Sequence, residues 1–464
     1  MSMAKETLKH TSTGQFKTKL GVIWATLGSA VGLGSIWRFP AEAQQNGGGA
    51  FLLLYLICVA ILGIPVMLAE TSIGRAGESD AVGSYKNLSP RTKWWVTGSL
   101  GILASYLILA FYVVVAGWTF HYLWDSITGS LYSITGSQTA ATMENYFHNR
   151  MESFISSDIS PLTASFIIIG LNIGVLMFGV QKGIEKMSNL LMPILFALLL
   201  VFCIYALTLP GASQGLEYFF KPDFSKITWS VALNALGQTF FSLSLGMGIL
   251  ITYSSYYPKS TNLVSTSATV SGLATLVAIL MGMIIFPIVF SFNLDLNTLR
   301  GTTLVFVTMP EVFAQMGGSQ WWSILFFILL LVAALTSTIS IAEVSIAFVE
   351  KQFKRNRITA TLIVMLPLLV LSALCSLSFG SLNDFRIFGL TIFDFLDTFT
   401  TNWLLPICAL GTVIYIGWFA PKGTFRKEVT NNGTVSNRLF PLIHFMVKWV
   451  APVLILFILI SSII

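Results

Sequence analysis

The sequence predicts an all-α polytopic membrane protein of about eleven transmembrane helices, two of them broken in mid-span. Composition is the first reason: 55% of the 464 residues are hydrophobic and 10% are charged, where a soluble domain carries about 25% charged residues. Apolar runs long enough to cross a bilayer then recur from one end of the chain to the other. Finally, glycine-rich polar residues interrupt two of these runs. They are Ser29-Ala30-Val31-Gly32-Leu33-Gly34-Ser35 in the first and Ser242-Leu243-Ser244-Leu245-Gly246-Met247-Gly248 in the sixth. Lipid offers no partner to a free backbone group, so a broken helix there must be buried in protein or line a wet cavity. Paired interruptions point to the binding site of a secondary transporter, because helix-end N–H groups suit an anion and unwound carbonyls suit a cation.

In chain order the spans lie near 19–43, 49–74, 96–124, 162–179, 187–208, 229–256, 263–292, 320–352, 357–378, 394–419 and 440–463. Basic residues gather in alternate connections: Lys5, Lys9, Lys17 and Lys19 before span 1, Arg75, Lys86, Arg91 and Lys93 after span 2, and Lys182 and Lys186 between spans 4 and 5. The pattern continues with Lys259 after span 6, Lys351, Lys354, Arg355 and Arg357 after span 8, and Lys422, Arg426, Lys427 and Arg438 before span 11. Loop 125–160 carries only Arg150 and loop 293–318 only Arg300. By the positive-inside rule the N-terminus is cytoplasmic and the C-terminus, after an odd number of spans, lies outside. The two poorly charged loops are then expected over the outer face. Breaks in spans 1 and 6 suggest one transporter domain over 1–464, made of two five-span repeats of opposite topology (19–208 and 229–419) and an extra helix (440–463).

The net charge of +6 belongs to these loops and does not suggest nucleic acid. The polar segment 1–19 has no signal-peptide core of its own, so the first span is read as the insertion signal. Cys58, Cys203, Cys375 and Cys408 all fall inside apolar spans without metal-ligand spacing and are expected to be buried thiols. His10, His121, His148 and His444 are dispersed and form no recognised triad. The chain carries no catalytic constellation, so a transporter is expected rather than an enzyme.

Trp37-Arg38-Phe39-Pro40, followed by Asn46-Gly47-Gly48-Gly49-Ala50-Phe51, and the run Gly28 to Gly34 resemble the first helix of the neurotransmitter:sodium symporter family. The resemblance continues through Gly63-Ile64-Pro65 with Glu70, Lys182-Gly183-Ile184-Glu185-Lys186, Phe241-Ser242-Leu243-Ser244-Leu245-Gly246 and Leu335-Thr336-Ser337. It spans nearly the whole chain, and eleven spans suit the bacterial amino-acid branch, in the inner membrane.

A hard cation takes oxygen ligands. Gly28 and Val31 can offer carbonyls at the first break. Ala333, Thr336 and Ser337, spaced i, i+3, i+4, share one helix face and match the family's second sodium site without substitution. The first site fares worse. Ala30 supplies its carbonyl and Ser242 its hydroxyl, but Ser35 and Ala274 stand where longer amide or acidic side chains are usual. The resemblance therefore implies Na+ as the coupled ion, one or two per cycle, with a weakened first site. Tyr55, Gln238 and Ser242 match three groups of the chloride-dependent members; Ala278 occupies the fourth, so chloride independence is expected.

The resemblance places an amino-acid pocket at Ala30, Gly32, Gly34, Ile108, Tyr112, Phe241, Ser242, Ser244, Met247, Ser337 and Ile341. Gly32, where amine-transporting members carry Asp, leaves room for a substrate carboxylate held by helix-end amides and Tyr112. The mostly apolar remainder implies a hydrophobic or aromatic side chain, with Met247 as an adaptable wall. Arg38 and Asp397 are the implied outer gate, with Phe241 beneath, Asp394 as a competing partner and Glu42 within i, i+4 reach of Arg38. At the inner gate the matched positions are Thr13, Phe16 and Lys351. A lysine replaces the usual carboxylate there, and Lys17 with Glu343 is a substitute pair. Tyr256 matches a further inner-gate residue. Glu70 is implied to cap amides of the broken span 6, and Gly183 with Pro193 marks a stretch of span 5 that could unwind. The predicted function is sodium-coupled import of hydrophobic or aromatic L-amino acids by alternating access, in a monomer or weak homodimer. A sodium-uncoupled exchanger or an amino-acid sensor on the same scaffold is the alternative.

Overall fold

The computed structural model describes residues 14–133, 140–294, 301–435 and 438–461, which are helical with short connections. Thr13, His10 and Arg300 lie outside the described residues. Thirteen helical segments carry the transmembrane part: α1 Lys19–Ala30, α2 Gly34–Gln45, α3 Gly49–Gly77, α4 Trp95–Thr128, α5 Ser160–Leu176, α6 Val180–Leu207, α7 Trp229–Ser242, α8 Ile249–Ser254, α9 Leu263–Ser291, α10 Ser319–Gln352, α11 Arg357–Leu377, α12 Ile392–Phe419 and α13 Phe440–Ser461. Eight of these are individually long and apolar enough to cross a membrane. The pair α1 and α2 forms one span bent by 60° at 31–33, and α7 and α8 are the halves of the sixth span, separated at 243–248.

Side-chain caps fix several helix ends. Thr18 accepts the Gly21 N–H at 2.8 Å, Asn262 that of Ser265 at 3.0 Å, and Asn356 that of Thr359 at 2.8 Å. Asp394 belongs to such a cap: its N–H donates to Thr391 Oγ1 at 3.0 Å and its carboxylate accepts from the same hydroxyl at 2.7 Å. The four cysteines are free and buried.

Prolines shape the long helices in a way that hydrophobic periodicity does not show. Wide, π-helical turns occupy Gly34–Arg38, Val59–Gly63, Leu304–Thr308, Thr400–Leu404 and Met446–Val450. Each is followed, two residues after its last, by a proline: Pro40, Pro65, Pro310, Pro406 and Pro452. A proline ring cannot tolerate the carbonyl four residues back and offers no N–H to it. The residue before each proline instead donates five residues back, as Phe39 does to Gly34 and Ala451 to Met446. The turn widens, and the helix continues without a break.

Boundaries differ from the sequence expectation most at α6, which begins at Val180 rather than near 187. Two lysines there suggest a loop, but Val180, Gly183, Ile184 and Glu185 are buried. The Glu185 carboxylate accepts the N–H groups of Lys17 and Thr18 at 3.0 and 3.1 Å. The helix runs unbroken through Gly183 and Pro193, so the stretch expected to be able to unwind is intact here. Arg75, which the charge pattern places in a loop, lies within α3. It is 3% exposed and binds the Glu428 carboxylate at 2.5 Å and the carbonyl of Thr261.

The inner-gate pairing also needs correction. Lys17 does not meet Glu343. Lys17 is exposed, while Glu343 is fully buried on α10 and pairs with Arg357, the first residue of α11. Only residues 353–356 separate these helices, so the guanidinium folds back over the carboxylate. Tyr256 Oη donates to Glu343 Oε1 at 2.8 Å. Arg357→Ala leaves that carboxylate without its cation and should destabilise the fold by about 3–5 kcal/mol. Thermal unfolding in detergent is the check, and Arg357→Ala combined with Glu343→Gln should recover much of the loss.

Between the spans, Gly301–Ala314 forms a short apolar helix against α10 and the helix Met143–Ser156. There burial and the neighbouring Glu144 push the Glu311 carboxyl up to about 7. An unfolded Glu ionises near pH 4.3, so the native state binds the extra proton between the two values. Stability is therefore lost as pH rises from about 4.5 through about 7. Glu311→Gln should flatten that part of the melting-temperature profile against pH.

Candidate functional site

The breaks in span 1 and span 6 face one another, and each is held by side chains from elsewhere. At the first, Val31 closes α1 by donating to Leu27 O at 2.7 Å, and the Leu33 N–H donates to Tyr112 Oη at 2.7 Å. At the second, Ser244 takes a left-handed φ of 52°, a conformation that costs an L-residue about 1–2 kcal/mol. Its hydroxyl donates to Ser29 O at 2.7 Å and ties the two breaks together. Gly246 has φ 80°, and a side chain there would strike the Leu405 carbonyl. Its N–H donates to Glu70 Oε1 at 2.7 Å, so Glu70, fully buried on α3, does cap the second break.

One cavity lies between the breaks. Ala30, Gly32, Gly34, Ile108, Tyr112, Phe241, Ser244, Met247, Ser337 and Ile341 line it, as the sequence suggests. Ser29 joins them, and Ser242 does not. Gly32 is essential to its shape: a Cβ there would overlap Tyr112 Oη and come within 2.5 Å of Ser337 Oγ. The polar lining is therefore concentrated at the helix breaks, and Ile108, Phe241, Met247 and Ile341 supply apolar wall.

Oxygens suited to Na+ converge beside this cavity. Ser337 Oγ lies 3.1 Å from Gly28 O and 3.4 Å from Val31 O, while Thr336 Oγ1 donates within its own helix to Val332 O at 3.1 Å and Ala333 O at 3.0 Å. This all-oxygen set from α1 and α10 fits a hard cation. The group expected for a first site fits less well. Ser35 Oγ reaches Ala30 O at only 3.4 Å, and Ser242 Oγ accepts an N–H from Gln238 at 2.9 Å. An amide donor thus occupies the hydroxyl oxygen that an ion would need. Nearby, Tyr55 Oη, Gln238 Oε1 and Thr275 Oγ1 are buried and make no close hydrogen bond among the described residues, and Ala274 and Ala278 contribute only methyl groups.

The cavity is closed on both sides. On one, the Arg38 guanidinium lies 4.8 Å from the Phe241 ring centre. Beyond it Phe306 packs on Trp37 and Trp118 at 6.2 and 5.9 Å. Among the described residues Arg38 and Asp397 make no direct ion pair, though the Arg38 charge is near enough to act on the Asp397 carboxyl. The carboxylate partner of Arg38 is Glu42 at 3.7 Å, one turn along the same helix and therefore nearer. On the other side Phe16 is caged by Tyr253, Tyr256 and Tyr257, with ring centres 5.9–6.2 Å away. Its N–H donates to Tyr256 O at 3.1 Å, and Lys351 Nζ sits 5.8 Å from the Tyr256 ring. Sequence reasoning missed Arg357 and Glu185 as parts of this closure. Glu185 stands in a family-like motif, but nothing local shows that it receives the amides of residues some 170 positions away.

Comparison with known proteins accounts for this geometry. The model of the sodium:neurotransmitter symporter family matches residues 13–160 and 132–464. The chain is 35% identical over 449 residues to an uncharacterised sodium-dependent transporter of Bacillus subtilis (strain 168), YhdH, covering 97% of each. It is 33% identical over 430 residues to an uncharacterised sodium-dependent transporter of Methanocaldococcus jannaschii, covering 89% of this chain and 83% of that one. The crystal structure of MhsT in complex with L-phenylalanine superposes with a TM-score of 0.87 at 40% identity, over 97% of this chain and 99% of that one. With two broken spans around a closed cavity and a matching sequence along nearly its full length, this chain belongs to the sodium:neurotransmitter symporter family of membrane transporters.

Proposed function

We propose that this protein couples Na+ to the import of hydrophobic or aromatic L-amino acids, with the N-terminus in the cytoplasm, the C-terminus outside and one Na+ as the principal driving ion. The observation that carries the reading is the cavity between the breaks, polar at the helix ends and apolar beyond. The L-phenylalanine bound by MhsT, 40% identical to this chain, supports the substrate class.

The substrate carboxylate belongs near Leu33 N–H and Tyr112 Oη, a helix-end amide and a phenol that now satisfy each other at 2.7 Å. The side chain belongs against Ile108, Phe241, Met247 and Ile341. A bound sodium ion supplies positive charge that draws the Gly28 and Val31 carbonyls to Thr336 and Ser337. Those residues orient α1 against α10 and so link the ion site to the first break. The Phe241–Arg38 contact excludes water from above, and the Phe16 cage excludes it from below. Substrate and ion act by stabilising one closed arrangement over the open ones, which is a shift of populations and not chemistry on the substrate. The amide contact at Ser242 supports a single tight ion site.

Proteoliposome uptake of labelled tryptophan, tyrosine, phenylalanine and leucine tests the reading. An inward Na+ gradient should give concentrative uptake, and an isosmotic K+ gradient should not. Equal uptake in both would overturn the symporter in favour of an exchanger, and binding without uptake would favour a sensor. Thr336→Val should abolish the sodium dependence, and the sodium Hill coefficient should lie near one; a value near two would restore the first site. Gly32→Ala overpacks the cavity and should weaken amino-acid binding by about 1–3 kcal/mol. Gly237→Ala, whose added methyl meets nothing within 4 Å, should leave binding unchanged.

A further inference from the structure

We propose that the basic rim of α12 and α13 binds the phosphate diester headgroup of an anionic phospholipid, with Lys448 as the cation that holds it. This inference rests on the membrane reading of these two helices and not on the substrate proposed above.

Charge comes first. Lys422, Arg426, Lys427, Arg438 and Lys448 stand among residues 420–464, against one acidic residue, Glu428. Glu428 is already taken by the buried Arg75 at 2.5 Å. Positive charge on this rim therefore has no matching negative charge in its own segment. Lys448 is the member set within an apolar helix, where an ionised group is costly and calls for a partner. Among the described residues it has no carboxylate partner.

Its surroundings are a built recess. The ammonium lies 5.8 Å from the Trp418 ring centre and 5.7 Å from that of Trp449. The two indoles meet edge to face at 5.3 Å. Gly417 lets the lysine stem lie close: a Cβ at 417 would stand 3.2 Å from Lys448 Cα and 3.5 Å from its Cβ. Both helices widen where they touch, in the π-helical turns Tyr415–Phe419 and Met446–Val450, the second caused by Pro452. A lysine that merely snorkels carries its charge past its neighbours into water. Lys448 is instead half-buried beside the two indole rings.

The remaining features define the occupant. Trp418 and Trp449 are 40% and 54% exposed, and neither indole N–H has a protein acceptor among the described residues. An ammonium and two indole N–H groups are donors without an acceptor, which a phosphate diester supplies. Tryptophans at the end of a span mark headgroup depth, and Trp94 and Trp95 continue the collar, with Trp94 5.0 Å from Phe419. Further along α13, Val453 and Leu456 leave an exposed apolar face for acyl chains. Basic recesses between spans take anionic lipid headgroups for these reasons.

Native mass spectrometry tests the proposal. The full chain is released from nanodiscs of phosphatidylcholine alone or mixed with phosphatidylglycerol, and the retained lipids are counted. The wild type should retain phosphatidylglycerol in preference. Lys448→Gln should lower that preference about five-fold, the share of one interfacial cation, and Lys448→Arg should keep it. Gly417→Val, which displaces the lysine stem and spares its charge, should lower it as well. Equal retention by Lys448→Gln and wild type would overturn the site. So would an equal loss in Lys422→Gln, which would mean a diffuse basic loop. Displacement by soluble glycerol phosphate would assign a free phosphate instead. A dimer that disappears in Trp449→Leu, with no lipid preference, would assign the face to a second copy of the chain.

Discussion

Backbone groups that lipid cannot satisfy govern this structure. Breaking two spans in mid-membrane frees N–H and C=O groups where no water reaches by default. Each broken end is therefore bonded to another part of the protein: Gly246 to Glu70, Leu33 to Tyr112, and Ser29 to Ser244. These partners come from α3, α4 and the opposite break, so the breaks cannot be moved or filled singly. The left-handed Ser244 is tolerated because its hydroxyl completes the set. The cavity is what remains between the bonded ends. Its polar end and its apolar wall both follow from that arrangement.

The same constraint governs which features are legible in the sequence. Glycines weaken a helix, and clustered polar residues are unfavourable in mid-membrane unless a break makes use of them. The breaks and the residues around them are therefore readable, Ser242 excepted. Its place in the motif points to the lining, yet its hydroxyl turns to Gln238 one turn back on its own helix. The prolines carry a second, less familiar signal. Each of five wide turns ends just before one. The cause at these five is local: a missing N–H and a ring that displaces a carbonyl favour a turn in which the preceding residue reaches back five positions. At these five positions a proline in an apolar run marks a widened turn and not a helix end, whereas Pro193, Pro287 and Pro367 stand in helices without one.

Charge pairing is less legible because it depends on which side of a helix faces which neighbour. Counting basic residues by loop treats Arg75 and Arg357 as interchangeable with Lys422. The structure buries both arginines against carboxylates, Glu428 and Glu343. Arginine suits such sites because its planar fork satisfies several acceptors at once, and Arg75 does so at a carboxylate and two carbonyls. Lysines remain mostly at the rim. Arg91, Arg355, Arg386, Arg426 and Arg438 are exposed like most lysines, so residue type alone does not separate the paired arginines from the rim.

The two closures of the cavity also differ in what opening them demands. Toward the side of the Gly301–Ala314 helix, closure rests on a cation over an aromatic ring and on packed aromatics. Toward the Phe16 side it includes a buried ion pair, which by itself would oppose opening strongly. That pair, however, joins Glu343 of α10 to Arg357 of α11, two consecutive helices. Phe16 precedes α1 and Tyr256 follows α8, so both belong to the broken spans. Drawing those spans away from α10 and α11 separates Tyr256 Oη from Glu343 and Tyr253 Oη from Ser340, while Phe16 travels with its three tyrosines and the two charges stay together. Neutral hydroxyl donors are then the contacts given up to α10. The fold keeps its costly charges within one rigid pair of helices and leaves inexpensive contacts at the surface that must part.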